Sequence, residues 1–352
     1  MGGQPFPGRE EKGAEGMRRR EFLATTTLAG TAGLLGLRPD RADAEPPPET
    51  TRIRLYTNRV AGAAGCSAPR YVAQEFLKGE GFTDVQYVLL ARAEADRALA
   101  AGDIDMNVGF IGTLILQIDR DPVTVLAGIH VGCFELFAHE PIRTVRDLKG
   151  KTVGVTEAGT GRHVFLASLL AYVGLDIRRD VNLSQHPPAE ARRLFAQGKL
   201  DAYQAFAEDV YELRDQKIGR VLLNTTTERP WSQYFCCMLA ANREFVRKHP
   251  VATKRAVRAM LKASDVCGLE PERAARFLRE GGYVKPELYD PTLRLLKDLP
   301  YAKWRQSDPE DTVRFYSLRL REAGMIRSDP KKVLAQGTDW RFLNELKKEL
   351  KG

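Results

Sequence analysis

The sequence has few cysteines and none of the spacings that mark a cysteine or histidine site. It contains five Cys and five His in 352 residues, and no Cys-x-x-Cys or His-x-x-x-His spacing occurs. An odd number of cysteines excludes a complete disulfide framework, and zinc sites are usually recognised by such spacings. We therefore predict that the cysteines are small buried thiols, that no metal is bound, and that the protein needs no cofactor.

Two classes of function lack their sequence signature. The 54 basic and 46 acidic residues are interspersed and give a net charge of +8. Nucleic-acid-binding proteins concentrate Lys and Arg on one face, so we predict no nucleic-acid partner. No motif assembles a nucleophile, a base and an oxyanion donor, which argues against an enzyme. Gly159-Thr160-Gly161 is not a dinucleotide fingerprint, because Val164 stands where a third glycine is needed.

The N-terminus carries the pattern of an export signal. A basic patch at Arg18–Arg20 precedes a weakly apolar run from Leu23 to Leu37, which is short for a membrane span. Ala42-Asp43-Ala44 follows as a small-x-small cleavage site. The pattern resembles the twin-arginine signal, whose cargo is exported folded. We predict a signal peptide over residues 1–44, cleavage near Ala44 and a periplasmic protein; an uncleaved anchor is the alternative, and Met17 is an alternative start.

Strand-like and helix-like segments alternate after a proline-rich linker at residues 45–51. Such alternation favours parallel α/β sheets, and the length favours two lobes. Strands are predicted at Ile53–Tyr56, Val85–Leu90, Ile104–Val108, Thr152–Val155, Ala202–Phe206 and Gln233–Ala240. Helices are predicted at Tyr71–Lys78, Glu94–Ala101, Arg162–Val173 and Ala189–Gln197, and then through most of the chain from Arg243 onward.

A short internal repeat supports two lobes of related build. Ala100–Asp105 and Ala196–Asp201 share the pattern Ala-x-Gly-x-(Ile/Leu)-Asp. Each copy places a helix end, a capping glycine and a strand start in the same order.

Four loops follow predicted strands, at the place where open α/β sheets bind ligands. These loops contain Asn58, Gly112 with Thr113, Thr160 with Gly161 and Arg162, and Glu208. The third loop opens a helix, whose N-terminal N–H groups suit an anion; an ordinary glycine-rich helix cap is the alternative. Trp231 and Tyr234 are predicted to form an aromatic wall of the same site, with core packing as the alternative.

The order of these segments resembles the periplasmic solute-binding proteins of ABC importers in the nitrate, taurine and aliphatic-sulfonate group. The resemblance is carried by AAGDIDMNVGFIG, TVRDLKGKTVGVTEAGTGRHVF, AQGKLDAYQAF and YFCCMLAANREFVRKHP. It also extends, in fold, to the synthases of the thiamine pyrimidine precursor. It implies a type II periplasmic-binding-protein fold: two α/β lobes, a two-strand hinge and a helical C-terminal part.

The resemblance further implies how the protein works. Residues 51–140 and 241–352 would form lobe one, residues 141–240 lobe two, and a small solute would be trapped between them. The partners would be that solute, predicted to be a small anion of sulfonate or nitrate type, and the membrane permease of the importer, with the protein a monomer. The segments Ala61–Cys66 and Glu75–Gly81 depart from the family pattern, so the identity of the ligand is not transferred.

Enzymes on the same fold are the alternative. Aryl-sulfinate desulfinases use a nucleophilic Cys in the loop after the first strand, and Cys66 stands in roughly that loop. Thiamine pyrimidine precursor synthases carry a multi-Cys iron-binding run, of which Cys236-Cys237 is only a fragment. We predict binding without turnover.

Overall fold

A computed structural model describes residues 45–58, 65–206 and 208–350. The predicted signal peptide lies outside these ranges. Ten strands run through the described residues: β1 (Arg52–Thr57), β2 (Asp84–Leu89), β3 (Met106–Phe110), β4 (Val123–Val131), β5 (Phe134–Ala138), β6 (Thr152–Val155), β7 (Asn182–Gln185), β8 (Ala202–Phe206), β9 (Arg220–Asn224) and β10 (Phe235–Asn242).

The strands form two five-stranded sheets with the same design. The first sheet has the order β2-β1-β3-β10-β4 and the second β7-β6-β8-β5-β9. The prediction of parallel sheets is correct for β1, β2 and β3 and for β6, β7 and β8, but wrong for one strand in each sheet. β10 runs antiparallel to β3 and β4, and β5 runs antiparallel to β8 and β9. Both sheets are therefore mixed. The antiparallel strand of each one, β10 or β5, is the strand at which the chain enters that sheet from the other.

The internal repeat performs the same task in both sheets. In the first sheet the Arg54 N–H donates to Asp105 Oδ2 over 2.7 Å, and the Asp105 N–H donates to the Arg54 carbonyl over 2.8 Å. In the second, the Thr152 N–H donates to Asp201 Oδ2 over 2.8 Å, and the Asp201 N–H donates to the Thr152 carbonyl over 2.9 Å. Each aspartate thus ties the chain that enters one strand, β3 or β8, to the parallel strand beside it, β1 or β6. This confirms that the two halves are related in build.

Helices cover the sheets and form most of the C-terminal third. They are α1 (Ala68–Val72), α2 (Gln74–Leu77), α3 (Arg92–Ala101), α4 (Ile111–Ile118), α5 (Gly161–Tyr172), α6 (Pro188–Ala196), α7 (Glu208–Asp215), α8 (Arg243–Lys248), α9 (Pro250–Leu269), α10 (Pro271–Glu280), α11 (Tyr289–Asp298), α12 (Pro309–Glu322), α13 (Pro330–Gly337) and α14 (Arg341–Glu349). Short 3-10 turns lie at Val145–Leu148, Trp231–Gln233, Pro286–Leu288 and Tyr301–Arg305. The predicted helical C-terminal part is confirmed: α9 packs against α1 and β4, while α12 also reaches α5 beside the second sheet.

The chain crosses between the sheets twice, at Gly132–Cys133 and over residues 225–234. These crossings do not coincide with the predicted lobe boundaries at residues 140 and 240. Strand β5 was assigned to lobe one but pairs in the second sheet, and most of β10 was assigned to lobe two but pairs in the first. A disulfide joins Cys133 of the first crossing to Cys236 of β10, with their Cα atoms 6.8 Å apart. The prediction of five free thiols is therefore wrong for this pair, which adjacent antiparallel strands bring together across 103 residues of sequence.

None of the helices in the described part of the chain is both long and apolar enough to span a bilayer.

Candidate functional site

A cavity of about 330 Å³ lies where the second sheet and its helix α7 face α11 of the C-terminal part. The side chains around it come from both crossings, from strands β5 and β9, and from these two helices. They are Cys133, Glu135, Val210, Tyr211, Arg214, Asn224, Thr226, Thr227, Leu295, Asp298 and Leu299. Its walls thus combine an apolar side with acids, amides and hydroxyls, which is the usual make-up of a small-molecule site.

The main charged pair of this cavity is Glu135 with Arg214. Glu135 lies in the otherwise apolar strand β5 and is 7% exposed. Arg214 donates through Nε to Glu135 Oε2 over 3.1 Å, and its Nη2 forms a second bond to Oε1. Burial raises the pKa of the Glu135 carboxyl to about 7, although Arg214 acts in the opposite direction. This carboxyl therefore exchanges its proton near neutral pH, and the charge facing the cavity changes with it.

Two polar contacts tie α7 to α11 at the edge of the cavity. The Tyr211 hydroxyl donates to Asp298 Oδ2 over 2.6 Å. Arg294 pairs with Asp215, with 2.7 Å between Nη1 and Oδ2, and its guanidinium lies 4.3 Å from the centre of the Tyr211 ring. These two contacts hold α7, beside the second sheet, against α11 of the C-terminal part.

The predicted residues at the start of α5 are placed around a buried ion pair. Thr160 precedes the helix, and its hydroxyl donates to the Glu157 carbonyl over 2.6 Å instead of capping the helix. Arg162 is 8% exposed, and its Nη1 donates to Asp209 and to Tyr203 Oη, the latter over 3.1 Å. Asp209 therefore balances the charge of Arg162. Contact of Arg162 with a solute stays a prediction.

Gly112 and Gly161, predicted to lie on facing loops, are brought together by one aromatic ring. Gly112 lies inside α4, where an added Cβ would come within 2.4 Å of the Phe110 ring and 2.9 Å of Val164. An added Cβ at Gly161 would lie 3.8 Å from Phe110 and Phe134. Thr113, next to Gly112, is buried and donates to the Phe110 carbonyl over 2.8 Å. Aromatic packing therefore fills the space between these two helix starts, and the glycines allow the close approach.

Trp231 and Tyr234 pack into an aromatic cluster. Trp231 is 2% exposed, with its ring centre 5.2 Å from that of Phe165 and 5.3 Å from that of Phe315. Tyr234 stacks on Phe315 with 4.1 Å between the ring centres. These rings join α5 to α12, and a ligand contact of either residue stays a prediction.

The two remaining predicted residues lie next to segments that the structure does not describe. Asn58 is half-buried just after β1 and precedes residues 59–64, which lie outside the described ranges. Glu208 starts α7, and its side chain also lies outside the described part of the structure.

Sequence reasoning missed the residues that line the cavity, Glu135 and Arg214 above all. One signal for Glu135 was available, since a single acid in the run Phe134–Ala138 suggests a buried carboxylate with a function. No comparable signal marked Arg214 or Asp298, because both lie on helices with many other charged residues.

The absence of ligand spacings in the sequence did not reveal a grouping of potential metal ligands that the fold makes. Within the described residues, Cys66, His130 and Cys237 place their ligand atoms within 4.8 Å of one another. Cys133, Cys236 and Cys237 form a second group of this kind.

Comparisons with known proteins agree with this architecture. The periplasmic nitrate-binding protein NrtA of Synechocystis PCC 6803 superposes with a TM-score of 0.66 at 17% identity, over 87% of this chain and 90% of that one. The periplasmic sulfonate-binding protein SsuA of Methylobacillus flagellatus KT superposes with a TM-score of 0.65 at 21% identity, over 85% of this chain and 94% of that one. The predicted periplasmic-binding-protein fold is thereby confirmed.

Sequence comparison identifies more direct relatives. A protein of Brucella abortus (strain 2308) named "Putative binding protein" is 27% identical over 189 residues, which is 52% of this chain. The match spans 58% of that relative's length. A model of the NMT1-like family matches residues 91–278. Because these residues make up more than half of the 352 in the sequence, the chain belongs to the NMT1-like family.

Proposed function

We propose that this protein is the solute-binding component of an ABC importer, working in the periplasm and delivering its solute to a membrane permease. The observation that carries the proposal is the cavity of about 330 Å³ with one wall from the second sheet and α7 and the other from α11. A solute held there contacts both bodies and stabilises their closed arrangement, which is how two-lobed binding proteins trap a ligand. The similarity to proteins named for binding nitrate and sulfonates supports the same role.

The size of the cavity limits the solute. Small-molecule sites range from about 300 to about 1,000 Å³, so this one suits a small molecule and excludes a folded protein or a long peptide. Its polar wall carries one guanidinium, Arg214, and two carboxylates, Glu135 and Asp298.

We propose that the solute is a small anion that takes the place of Glu135 as the partner of Arg214. Protonation of Glu135, whose pKa is raised to about 7, removes the competing negative charge. A bidentate guanidinium then remains for a sulfonate, carboxylate or nitrate group. On this mechanism, anion binding strengthens as the pH falls through about 7 and weakens above it.

The test is a thermal-shift screen followed by calorimetry with nitrate, alkanesulfonates, carboxylates and pyrimidines. A ligand at about 100 times its Kd stabilises the folded state by about 2.7 kcal/mol, which raises Tm measurably. Arg214→Gln should abolish the shift given by an anion. Arg247→Gln is the matched control, because Arg247 pairs with Glu244 on the exposed face of α8, away from the cavity.

Two results would overturn the proposal. Equal binding by the two arginine variants would remove Arg214 from the site. Consumption of a sulfinate substrate, lost in Cys66→Ser, would identify an enzyme instead of a transport component. Size-exclusion chromatography of the purified protein tests the predicted monomer.

A further inference from the structure

Three potential metal ligands from distant parts of the sequence meet at one end of the first sheet. Cys66 follows β1 and is half-buried, while His130 near the end of β4 and Cys237 near the start of β10 are both buried. His130 and Cys237 are paired residues on neighbouring antiparallel strands. The two sulfur atoms and one ring nitrogen lie within 4.8 Å of one another.

The hydrogen bonding of His130 matches that of a metal ligand. Its Nδ1 lies 3.2 Å from the carbonyl oxygen of Val131, which can only accept, so Nδ1 carries the hydrogen. In the neutral ring Nε2 then holds a lone pair, and a backbone bond of this kind is what fixes the tautomer of metal-binding histidines.

The second nitrogen of His130 supplies an independent observation. Nε2 is buried and has no hydrogen-bond partner among the described residues, in a side chain that is 0% exposed. Leaving a polar atom buried and unsatisfied costs about 1–3 kcal/mol, so native proteins rarely keep one without a reason. A cation at this position would satisfy the lone pair.

The local geometry of β10 explains how its sulfur reaches the group. Adjacent residues of a regular strand point to opposite faces. Here the pairing of β10 with β4 shifts register on both sides of Cys237, and the sulfurs of Cys236 and Cys237 come within 4.8 Å of each other. Because Cys236 is bonded to Cys133, the set left to bind a metal is Cys66, His130 and Cys237.

A buried tyrosine holds the remaining ligand loop in place. The Tyr301 hydroxyl donates over 2.5 Å to the carbonyl of Gly65, the residue before Cys66. The ring of Tyr301 also packs edge-on against His130, with 5.3 Å between ring centres. One fully buried side chain thus orients two of the three potential ligands.

We propose that Cys66, His130 and Cys237 form a binding site for a thiophilic cation of the zinc(II) type. Two thiolates and one imidazole are ligands that zinc prefers, at about 2.3 Å for sulfur and about 2.0 Å for nitrogen. A tetrahedral site of that size needs ligand atoms about 3.5–3.8 Å apart, which small side-chain rotations reach from the present arrangement. Binding releases the two thiol protons, and a fourth position stays open to water or another ligand. The site does not depend on which solute, if any, the cavity binds.

The experiment titrates the full chain, purified without reductant, with zinc(II) and with cobalt(II) as a spectroscopic probe. We expect about one equivalent of metal and an intense thiolate-to-cobalt charge-transfer band in the near ultraviolet. Cys66→Ser, Cys237→Ser and His130→Gln should each weaken zinc binding by about 100-fold or more. Cys267→Ala is the matched control, since Cys267 is a buried thiol outside both groups, and it should bind as the wild type does.

A further variant separates the two sulfur groups. Cys133→Ser combined with Cys236→Ser removes the disulfide and should leave the cobalt band in place. Loss of the band in this variant but not in Cys66→Ser would place the metal elsewhere and overturn the proposal. A cobalt spectrum without a thiolate band, or equal affinity in Cys66→Ser and the wild type, would also overturn it. Cys66 is only half-buried, so its serine variant remains decisive if the buried variants fail to fold.

Discussion

The wild type should lose stability as the pH rises, because Glu135 is protonated more readily in the folded chain than in the unfolded one. Replacing Glu135 by Gln should abolish this pH dependence. In the folded protein, burial raises the pKa of Glu135 from 4.5 to about 7. Between these pH values the folded chain holds a proton that the unfolded chain has released, so the free energy of unfolding falls as the pH rises. At about 1.4 kcal/mol per pH unit, the loss amounts to about 3 kcal/mol, complete just above pH 7. Gln keeps the shape and an acceptor for Arg214 but cannot titrate.

The assay is denaturant unfolding of both proteins between about pH 4.5 and pH 8, compared as the difference in unfolding free energy. We expect the unfolding free energy of the wild type to fall relative to that of Glu135→Gln as the pH rises across this range. Glu244→Gln is the control, because Arg247 and Lys248 lower the pKa of Glu244 to about 2. Glu244 is therefore ionised in the folded state over the whole range and in the unfolded state above about pH 5.5, so above that pH its difference from the wild type should stay constant. A constant difference for Glu135→Gln as well would refute the assignment of a raised pKa.

Two further predictions concern the buried partner of Arg162 and the predicted glycine Gly112. Asp209→Asn should cost about 3–5 kcal/mol in denaturant unfolding, because Asp209 is fully buried and balances two guanidinium groups. Asp215→Asn, which breaks an exposed pair, should change little, and equal losses would contradict the argument. Gly112→Ala should lower stability by about 1–3 kcal/mol through its clash with the Phe110 ring, although Ala favours helices. Gly161→Ala meets only ordinary contacts at 3.8 Å and should not destabilise; a Gly112→Ala protein as stable as the wild type would refute the clash.

Local sequence patterns were sufficient to predict strands and helices that show a regular hydrophobic period or end at a capping glycine. Thr152–Val155 and Ala202–Phe206 were predicted with the bounds that the structure has. The capping glycines were correct too, since Gly102 and Gly198 adopt φ values of +82° and +69° that favour glycine. Strands β7 and β9 were missed, because β7 is short and mostly polar and the apolar residues of β9 are consecutive, so neither shows a clear alternation.

The segment from Val125 to Glu140 shows where such patterns fail. Strands β4 and β5 are buried along their whole length, so neither has a polar face that would mark the break between them. Only their pairing shows that the chain leaves the first sheet at Gly132 and enters the second at Phe134.

The sequence by itself determined the alternation of strands and helices, the related build of the two halves and the helical C-terminal part, because each depends on residues close together in the chain. The tertiary structure alone decided the antiparallel strand in each sheet, the Cys133–Cys236 disulfide and the cavity around Glu135. It also decided the meeting of Cys66, His130 and Cys237. These features join segments dozens to more than a hundred residues apart, and strand register and packing, which no local pattern encodes, bring them within bonding distance.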